Sequence, residues 1–134
     1  MQKIILTKLQ KKILLDHSHK EEPNESCAIL YGDKNGEENI VKEIWLVKNI
    51  DSSPVEFTLS FDQTSEMYKK EKELNLNIIG IFHSHPNSEA HPSNTDEKYM
   101  KVNQDMYVWI IYSGINKNWK AFKLESEIAI EEKS

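Results

Sequence analysis

Two nearly continuous runs of apolar residues, Leu76 to Phe82 and Met106 to Tyr112, constrain the fold of this chain more than any other feature. Runs of this length, without the alternation of a half-exposed strand, are typical of central strands that are covered on both faces. The polar segment between them ends in a helical candidate from Asn94 to about Asn103. We therefore predict a single α/β domain in which the two runs are neighbours in a central mixed β-sheet flanked by helices.

Two further helices are indicated by the capping-box spacing, in which a Ser or Thr precedes a Gln by three residues. The segment Thr7–Gln10 has this spacing and predicts a helix over Lys8–His17. The segment Ser60–Gln63 repeats it and opens a stretch without Gly or Pro through Leu74, which predicts a second helix.

The remaining strands are indicated by β-branched and aromatic residues bounded by turn residues. Cys27–Tyr31 is an apolar stretch that follows a polar loop, and Ile40–Val47 is its predicted partner across a turn at Gly32–Gly36. Asn118–Leu124 alternates and predicts a further strand, which lies at the edge of the sheet if its lysines face solvent. The sequence thus predicts a hairpin, two central strands and one further strand.

The composition is that of an ordinary folded domain. Of 134 residues, 38% are hydrophobic and 29% are charged, so we expect one domain over residues 1–134. The net charge of -5 argues against nucleic-acid and acidic-lipid partners, which require a concentrated basic surface. The apolar runs are far shorter than the about 20 residues that span a bilayer, and the N-terminus lacks a signal-peptide core. We expect a cytoplasmic protein; the sequence indicates no oligomeric state.

The stretch His83-Ser84-His85-Pro86, directly after a predicted buried strand, carries the strongest chemical signal. In an extended chain, positions i and i+2 project to the same side, so both imidazoles can reach one ion while Ser84 points away. Pro86 favours an extended backbone at His85, and the following loop can return Asp96 to the same ion. Two histidines and one carboxylate leave a tetrahedral position open, which is typical of catalytic zinc. We predict one zinc ion per chain.

Other interpretations of these residues stay open on the residues alone. The Ser93–Asp96 spacing also caps a helix without any metal. A zinc hydrolase needs a general base, and Glu25 is our candidate, although its charge alone does not distinguish it among 22 acidic residues.

The other histidines and the lone cysteine have simpler interpretations. His17, His19 and His91 stand in polar contexts and are expected to face solvent, with His91 the one that could approach the metal. Cys27 lies inside an apolar run, so we expect a small buried hydrophobe rather than a nucleophile. The single cysteine also excludes a multi-thiolate metal site, which leaves histidines and carboxylates as ligands.

The whole constellation resembles the JAMM metalloproteases, also called the catalytic MPN domain. Their signature is an upstream Glu, then His-x-His-Pro, then Ser-x-x-Asp, and it is matched here by Pro23–Cys27, His83–Pro86 and Pro92–Asp96. Ala28, where the family often has Gly, and His91 depart from the pattern without removing a catalytic group.

The resemblance implies a role for each matched residue and a fold like that of the deaminases. His83, His85 and Asp96 would bind zinc, Glu25 would activate a water molecule, and Ser93 would donate a hydrogen bond to the oxyanion.

The resemblance also implies a substrate: an isopeptide or peptide bond after the C-terminal glycine of ubiquitin or of a ubiquitin-like, β-grasp sulfur-carrier protein. An exposed strand edge beside the zinc could bind the tail of such a protein by strand addition.

Three alternatives remain at this point: a non-catalytic zinc-binding interaction module, a hydrolase of small peptides or amino-acid amides, and a zinc nucleoside deaminase. The deaminase alternative is the weakest, because its His-x-Glu and Cys-x-x-Cys signature is missing.

Overall fold

The computed structural model describes residues 1–55, 57–103, 106–124 and 126–134. Seven strands and three helices occur in these residues. In chain order they are β1 (Lys3–Thr7), α1 (Lys8–Glu21), β2 (Cys27–Asn35), β3 (Glu38–Val47), α2 (Phe61–Leu74), β4 (Asn77–His85), α3 (Asn94–Val102), β5 (Val108–Ser113), β6 (Asn118–Lys123) and β7 (Ser126–Lys133). None of these helices is long and apolar enough to cross a membrane.

The strands form one mixed sheet that closes into a barrel in the order β1-β3-β2-β4-β5-β6-β7. The β4–β5 pair is parallel, as are the pairs of β1 with β3 and with β7, whereas the other neighbours are antiparallel. The predicted single α/β domain with a mixed sheet is confirmed, and the two apolar runs are the adjacent strands β4 and β5. The closure of the sheet was not predicted.

The prediction that Asn118–Leu124 forms an edge strand is wrong. This segment is β6, which ends at Lys123 and pairs with β5 on one side and with β7 on the other. β7 in turn pairs with β1, from Lys3 opposite Ala129 to Thr7 opposite Lys133. Full closure removes edges altogether, so the lysines of β6 do not mark one.

Both capping boxes predicted from the sequence are formed. At the start of α1, the Thr7 hydroxyl accepts from the Gln10 amide at 3.0 Å, and the Gln10 side chain accepts from the Thr7 amide at 2.9 Å. Ser60 and Gln63 repeat this exchange at the start of α2. The helices therefore begin where the side chains satisfy backbone donors that have no partner within the helix.

Two local predictions are corrected. His17 is buried rather than solvent-facing, because α1 continues to Glu21 and the Nε2 atom of His17 lies 3.3 Å from the Val47 carbonyl oxygen. The turn after β2 is tighter than predicted, since the strand runs through Asn35. Within this turn, Gly36 has a positive φ, of 63°.

The central strands are buried on both faces, as their unbroken apolar runs predict. One core cluster includes Leu30, Phe82 and Ile110, and Leu14 of α1 packs with it. The cluster on the opposite face of the sheet includes Ile81, Met67 of α2 and Met100 of α3. Since side chains alternate along a strand, the residues after Ile81 that share its face point toward α2 and α3.

We expect Phe82→Ala to destabilise the fold by about 3–5 kcal/mol, because the substitution leaves a cavity in a fully buried position of β4. Phe61→Ala is the matched control, since Phe61 is 85% exposed, and should change the free energy of unfolding by less than about 0.5 kcal/mol. Urea denaturation of both variants measures the difference. Equal losses would contradict the assignment of Phe82 to the core.

Candidate metal centre

The C-terminal end of β4 places two imidazoles on one face of the sheet. His83 and His85 are both buried on the side of Ile81, and their Nε2 atoms are 2.9 Å apart. Ser84 points to the other side, where its hydroxyl contacts the Ser26 hydroxyl at 2.8 Å. The alternation predicted from His-x-His is therefore present.

The first turn of α3 brings a carboxylate to the same point. Ser93 is the N-cap, its hydroxyl accepts from the Asp96 amide at 3.1 Å, and Asp96 Oδ2 accepts from the Ser93 amide at 2.9 Å. The same Oδ2 atom lies 3.0 Å from His83 Nε2 and 3.2 Å from His85 Nε2. The Asp96 carboxylate therefore both caps α3 and approaches the two histidines.

These three atoms are spaced as the ligands of a small cation are. His83 Nε2, His85 Nε2 and Asp96 Oδ2 are separated by 2.9 to 3.2 Å. Tetrahedral zinc with bonds of ~2.0–2.1 Å requires ligand atoms about 3.3 Å apart. The donor set, two imidazole nitrogens and one carboxylate oxygen, is also one that zinc accepts. The residues therefore fit a zinc ion.

A backbone contact sets the tautomer of His85. Its Nδ1 atom lies 2.8 Å from the Glu89 carbonyl oxygen, which can only accept, so Nδ1 carries the hydrogen. In the neutral imidazole, Nε2 then presents a lone pair toward His83 and Asp96. Such a contact to the second ring nitrogen is what orients metal-binding histidines.

The electrostatics of the cluster formed by His83, His85 and Asp96 favour separated charges. Burial raises the pKa of the Asp96 carboxyl, but the nearby His83 and the hydrogen bonds from both histidines outweigh it and hold that pKa far below its usual range. Burial lowers the pKa of His85, but the hydrogen bonds with Asp96 and the Glu89 carbonyl and the charges of Asp96 and Glu25 together outweigh burial and raise that pKa above its usual value. Positive charge is therefore stabilised at this point, whether it comes from a proton or from a metal.

Glu25 faces the same cluster from the loop before β2. Its side chain is 5% exposed, and its Oε2 atom is 4.0 Å from His85 Nε2. The ligand atoms of Glu25, His83 and His85 all lie within 4.8 Å of one another. Because Asp96 Oδ2 lies 3.2 Å from His85 Nε2 and Glu25 Oε2 lies 4.0 Å from it, the distances favour Asp96 as the third ligand and Glu25 as an adjacent carboxylate.

The remaining candidates lie elsewhere. His91 is exposed, and its ring packs edge-on against Phe122, with centroids 5.5 Å apart. His19 is exposed and contacts Glu22 at 3.3 Å. Cys27 is buried, as predicted, and burial raises the pKa of its thiol well above the usual value, which leaves it a poor nucleophile.

A mostly apolar cavity of about 220 Å³ opens beside His83 and Asp96, between α2 and α3. Among the residues that line it are Phe57, Leu59 and Trp109. The ring of Trp109 also packs edge-on against His83, with centroids 5.4 Å apart. Its position in an unbroken apolar run gave no signal of this contact. The cavity is large enough for one apolar side chain, since a cavity of about 150 Å³ accommodates benzene.

Comparison with known proteins decides the family. The family described as prokaryotic homologs of the JAB domain matches residues 8–125, which include every residue of the cluster. The chain belongs to this family. The JAMM resemblance seen in the motif is thereby confirmed.

Individual members support the assignment. This JAB-domain chain is similar to a desampylase of Pyrococcus furiosus, with 32% identity over 97 residues, which are 71% of this chain and 65% of that protein. It is also similar to a CysO-cysteine peptidase of Mycobacterium tuberculosis, with 26% identity over 97 residues, 72% of this chain and 65% of that protein. The match thus spans slightly less than two thirds of each relative.

A solved structure matches the fold over nearly its whole length. The solution structure of a protein from Desulfitobacterium hafniense superposes with a TM-score of 0.85 and 27% identity, covering 98% of this chain and 93% of that one. The closed barrel with its three helices therefore has an experimentally determined counterpart.

We expect the protein to bind one zinc ion per chain, and Asp96→Ala to bind clearly less, because that substitution removes one of three converging ligand atoms. Glu97→Ala is the matched control, as the neighbouring acidic residue in the same helical turn. Metal analysis after zinc loading and gel filtration measures the stoichiometry, and zinc should also raise the melting temperature of the parent. Equal zinc content in Asp96→Ala and the parent would overturn the ligand set.

Proposed function

We propose that this protein is a zinc-dependent hydrolase that cuts the amide bond after the C-terminal glycine of a ubiquitin-like or sulfur-carrier β-grasp protein. His83, His85 and Asp96 would hold the zinc, with Glu25 as general base and Ser93 as oxyanion donor. The observation that carries the proposal is the convergence of three ligand atoms and a separate buried carboxylate, beside an apolar cavity that His83 and Asp96 help to line.

In this proposal, Glu25 moves the proton. Its carboxylate lies 4.0 Å from His85 Nε2, which leaves room beside the ligand atoms for a reactant. Bound zinc would polarise the substrate carbonyl and lower the pKa of a water molecule to about 7. Glu25 Oε2 would accept a proton from the attacking water and deliver it to the leaving nitrogen as the carbon–nitrogen bond breaks.

Ser93 can contribute a hydrogen bond without losing its structural role. Its hydroxyl oxygen accepts from the Asp96 amide, so the hydroxyl hydrogen is available to a second partner. Ser93 is exposed beside the cavity mouth formed in part by Asp96. A donor in this place would stabilise negative charge that develops on the carbonyl oxygen.

The substrate class rests on the family and on its named members. The relatives that match this chain are named a desampylase and a CysO-cysteine peptidase, and the motif resembles that of JAMM isopeptidases. The apolar cavity provides a place for a side chain near the cleaved bond. These observations favour a peptide-like tail as the reacting part of the substrate.

The expectation of strand addition needs revision. Each described strand of the closed barrel has two neighbours, which leaves no edge strand. Where β3 extends beyond β1, α1 lies alongside: Gln10 Nε2 donates to the Val41 carbonyl, and His17 Nε2 is close to that of Val47. We therefore place the substrate tail in the cavity between α2 and α3.

The alternatives differ in what they predict. A binding module would hold zinc without turnover, and a small-peptide hydrolase would cut short substrates as efficiently as folded ones. The buried carboxylate favours an enzyme over a binding module, since burying a charge costs free energy that zinc binding alone does not require. The deaminase alternative lacks its Cys-x-x-Cys ligands in the sequence.

We expect Glu25→Gln to lower kcat at least about a hundredfold while zinc content and melting temperature are retained, because the amide cannot accept the proton. Glu21→Gln and Glu22→Gln are the matched controls. Both residues are near Glu25 in sequence, but Glu21 is the last residue of α1 and Glu22 is its C-cap. Steady-state kinetics on a fluorogenic conjugate measures the effect. Full activity in Glu25→Gln together with loss in a control would move the general base to that residue.

We expect a folded β-grasp protein with a C-terminal extension to be cleaved with a much higher kcat/KM than its isolated tail peptide. Remote contacts with the folded body align the tail, so their loss lowers the rate as well as the affinity. Mass spectrometry of both substrates, with a chelator-treated control, measures the ratio. Similar values for the two would favour the small-peptide hydrolase, and no cleavage of a panel of such proteins would favour the binding module.

A further inference from the structure

The backbone of Glu25 is held by a segment of the chain that the proposed mechanism does not use. Glu25 stands two residues before β2, outside the sheet ladder. Its amide donates to the Ser53 carbonyl at 2.9 Å, and its carbonyl accepts from Asn49 Nδ2 at 2.9 Å. Both bonds come from residues 49–53, which follow β3.

We propose that Asn49 is a positioning residue that fixes the Glu25 backbone at the metal centre, an inference that rests on the proposed function of Glu25 as general base. Asn49 is buried, with 3% of its surface exposed. Its Nδ2 group donates to two carbonyls, that of Glu25 at 2.9 Å and that of Ser53 at 3.1 Å. The Asn49 side chain thus links the Glu25 carbonyl to Ser53, whose carbonyl accepts from the Glu25 amide.

The chemistry of this position requires an asparagine. Asn49 Oδ1 accepts from the Asp51 amide at 3.1 Å, so the side chain uses both of its donors and its acceptor. An aspartate has the same shape but no donor, and it would face two carbonyl oxygens with a negative charge. A buried group in that situation is destabilised, so the segment and Glu25 would move apart.

The next residue ties the same loop to the metal-binding strand. The Ser26 amide donates to the Ser84 hydroxyl at 2.9 Å, and the Ser84 amide donates to the Ser26 carbonyl at 3.0 Å. Residues 49–53 therefore bind the backbone of Glu25, and β4 binds the backbone of the next residue, Ser26. Release of the first attachment leaves Ser26 in place, so the displacement falls on Glu25.

A small displacement of a general base has a large kinetic effect. A misplacement of about 1 Å can lower the rate about a hundredfold without direct contact between the altered residue and the reacting atoms. Asn49→Asp should therefore lower kcat 10- to 100-fold, by that relation, with KM changed less than about twofold. Zinc content should be unchanged, because the ligands lie on β4 and α3.

The chain offers a matched control in a second buried asparagine. Asn39 is 2% exposed, and its Nδ2 group also has two acceptors, the Lys3 carbonyl at 3.0 Å and Gln2 Oε1 at 3.2 Å. Asn39→Asp therefore removes the same donors at the β1–β3 end of the barrel. It should lower the melting temperature as Asn49→Asp does but leave kcat within about twofold of the parent. Equal losses of kcat in the two variants would overturn the proposal.

Two further measurements separate positioning from general damage. Combined with Glu25→Gln, Asn49→Asp should lower kcat no further, since a residue that acts through Glu25 has no effect once the base is absent. A further tenfold loss in the double variant would overturn the proposal. If Asn49→Asp does not fold, Asn49→Ser, with Asn39→Ser as control, takes its place.

Hydrogen exchange tests the attachment independently of catalysis. In zinc-loaded protein, the Glu25 amide should exchange at least tenfold faster in Asn49→Asp than in the parent, and no faster in Asn39→Asp. Unchanged protection of Glu25 in Asn49→Asp would overturn the proposal even if kcat fell. If the parent cleaves no conjugate at all, the proposed function fails while the exchange result still decides whether Asn49 fixes Glu25.

Discussion

The antiparallel pairing of β2 with β4 is the interaction on which the whole metal centre depends. Cys27 lies opposite His83 in this ladder, and the bonds between Ser26 and Ser84 extend the pairing one step beyond the end of β2. Glu25 is the residue before that step, so the register brings its carboxylate to the histidines. A shift of one residue would turn every side chain of β2 to the other face of the sheet. The distance between the Glu25 carboxylate and the two histidines is thus set by strand pairing.

The arrangement is costly for the fold and useful for binding. Two imidazoles and two carboxylates are buried within a few ångströms of one another. Burying these groups costs desolvation free energy, which the binding of a cation would offset. Burial disfavours charge on these groups, but the two histidines, His83 above all, hold the pKa of Asp96 below its usual range, and Asp96 helps to raise the pKa of His85. The apolar residues around the cluster strengthen these interactions by excluding water.

The local chemistry was predictable and the long-range topology was not. The facing of His83 and His85 follows from strand alternation, and the placement of Asp96 follows from the capping box, so short-range geometry sufficed for both. The barrel closure depends on β1 and β7, whose pairing joins the two ends of the chain and leaves no local pattern. His17 was misassigned because its neighbours are polar, while its burial comes from a tertiary contact with Val47. Asn49 gave only the signal of an ordinary loop residue.

The shared use of Asp96 affects how activity can be recognised in related sequences. Its Oδ2 atom accepts from the Ser93 amide at the start of α3 as well as approaching both histidines. A copy of this gene that lost catalysis would still be under selection to keep the Ser-x-x-Asp spacing, because the helix needs its cap. The Ser-x-x-Asp spacing alone is therefore a weak marker of a metal-binding site, because the helix cap preserves it without a metal.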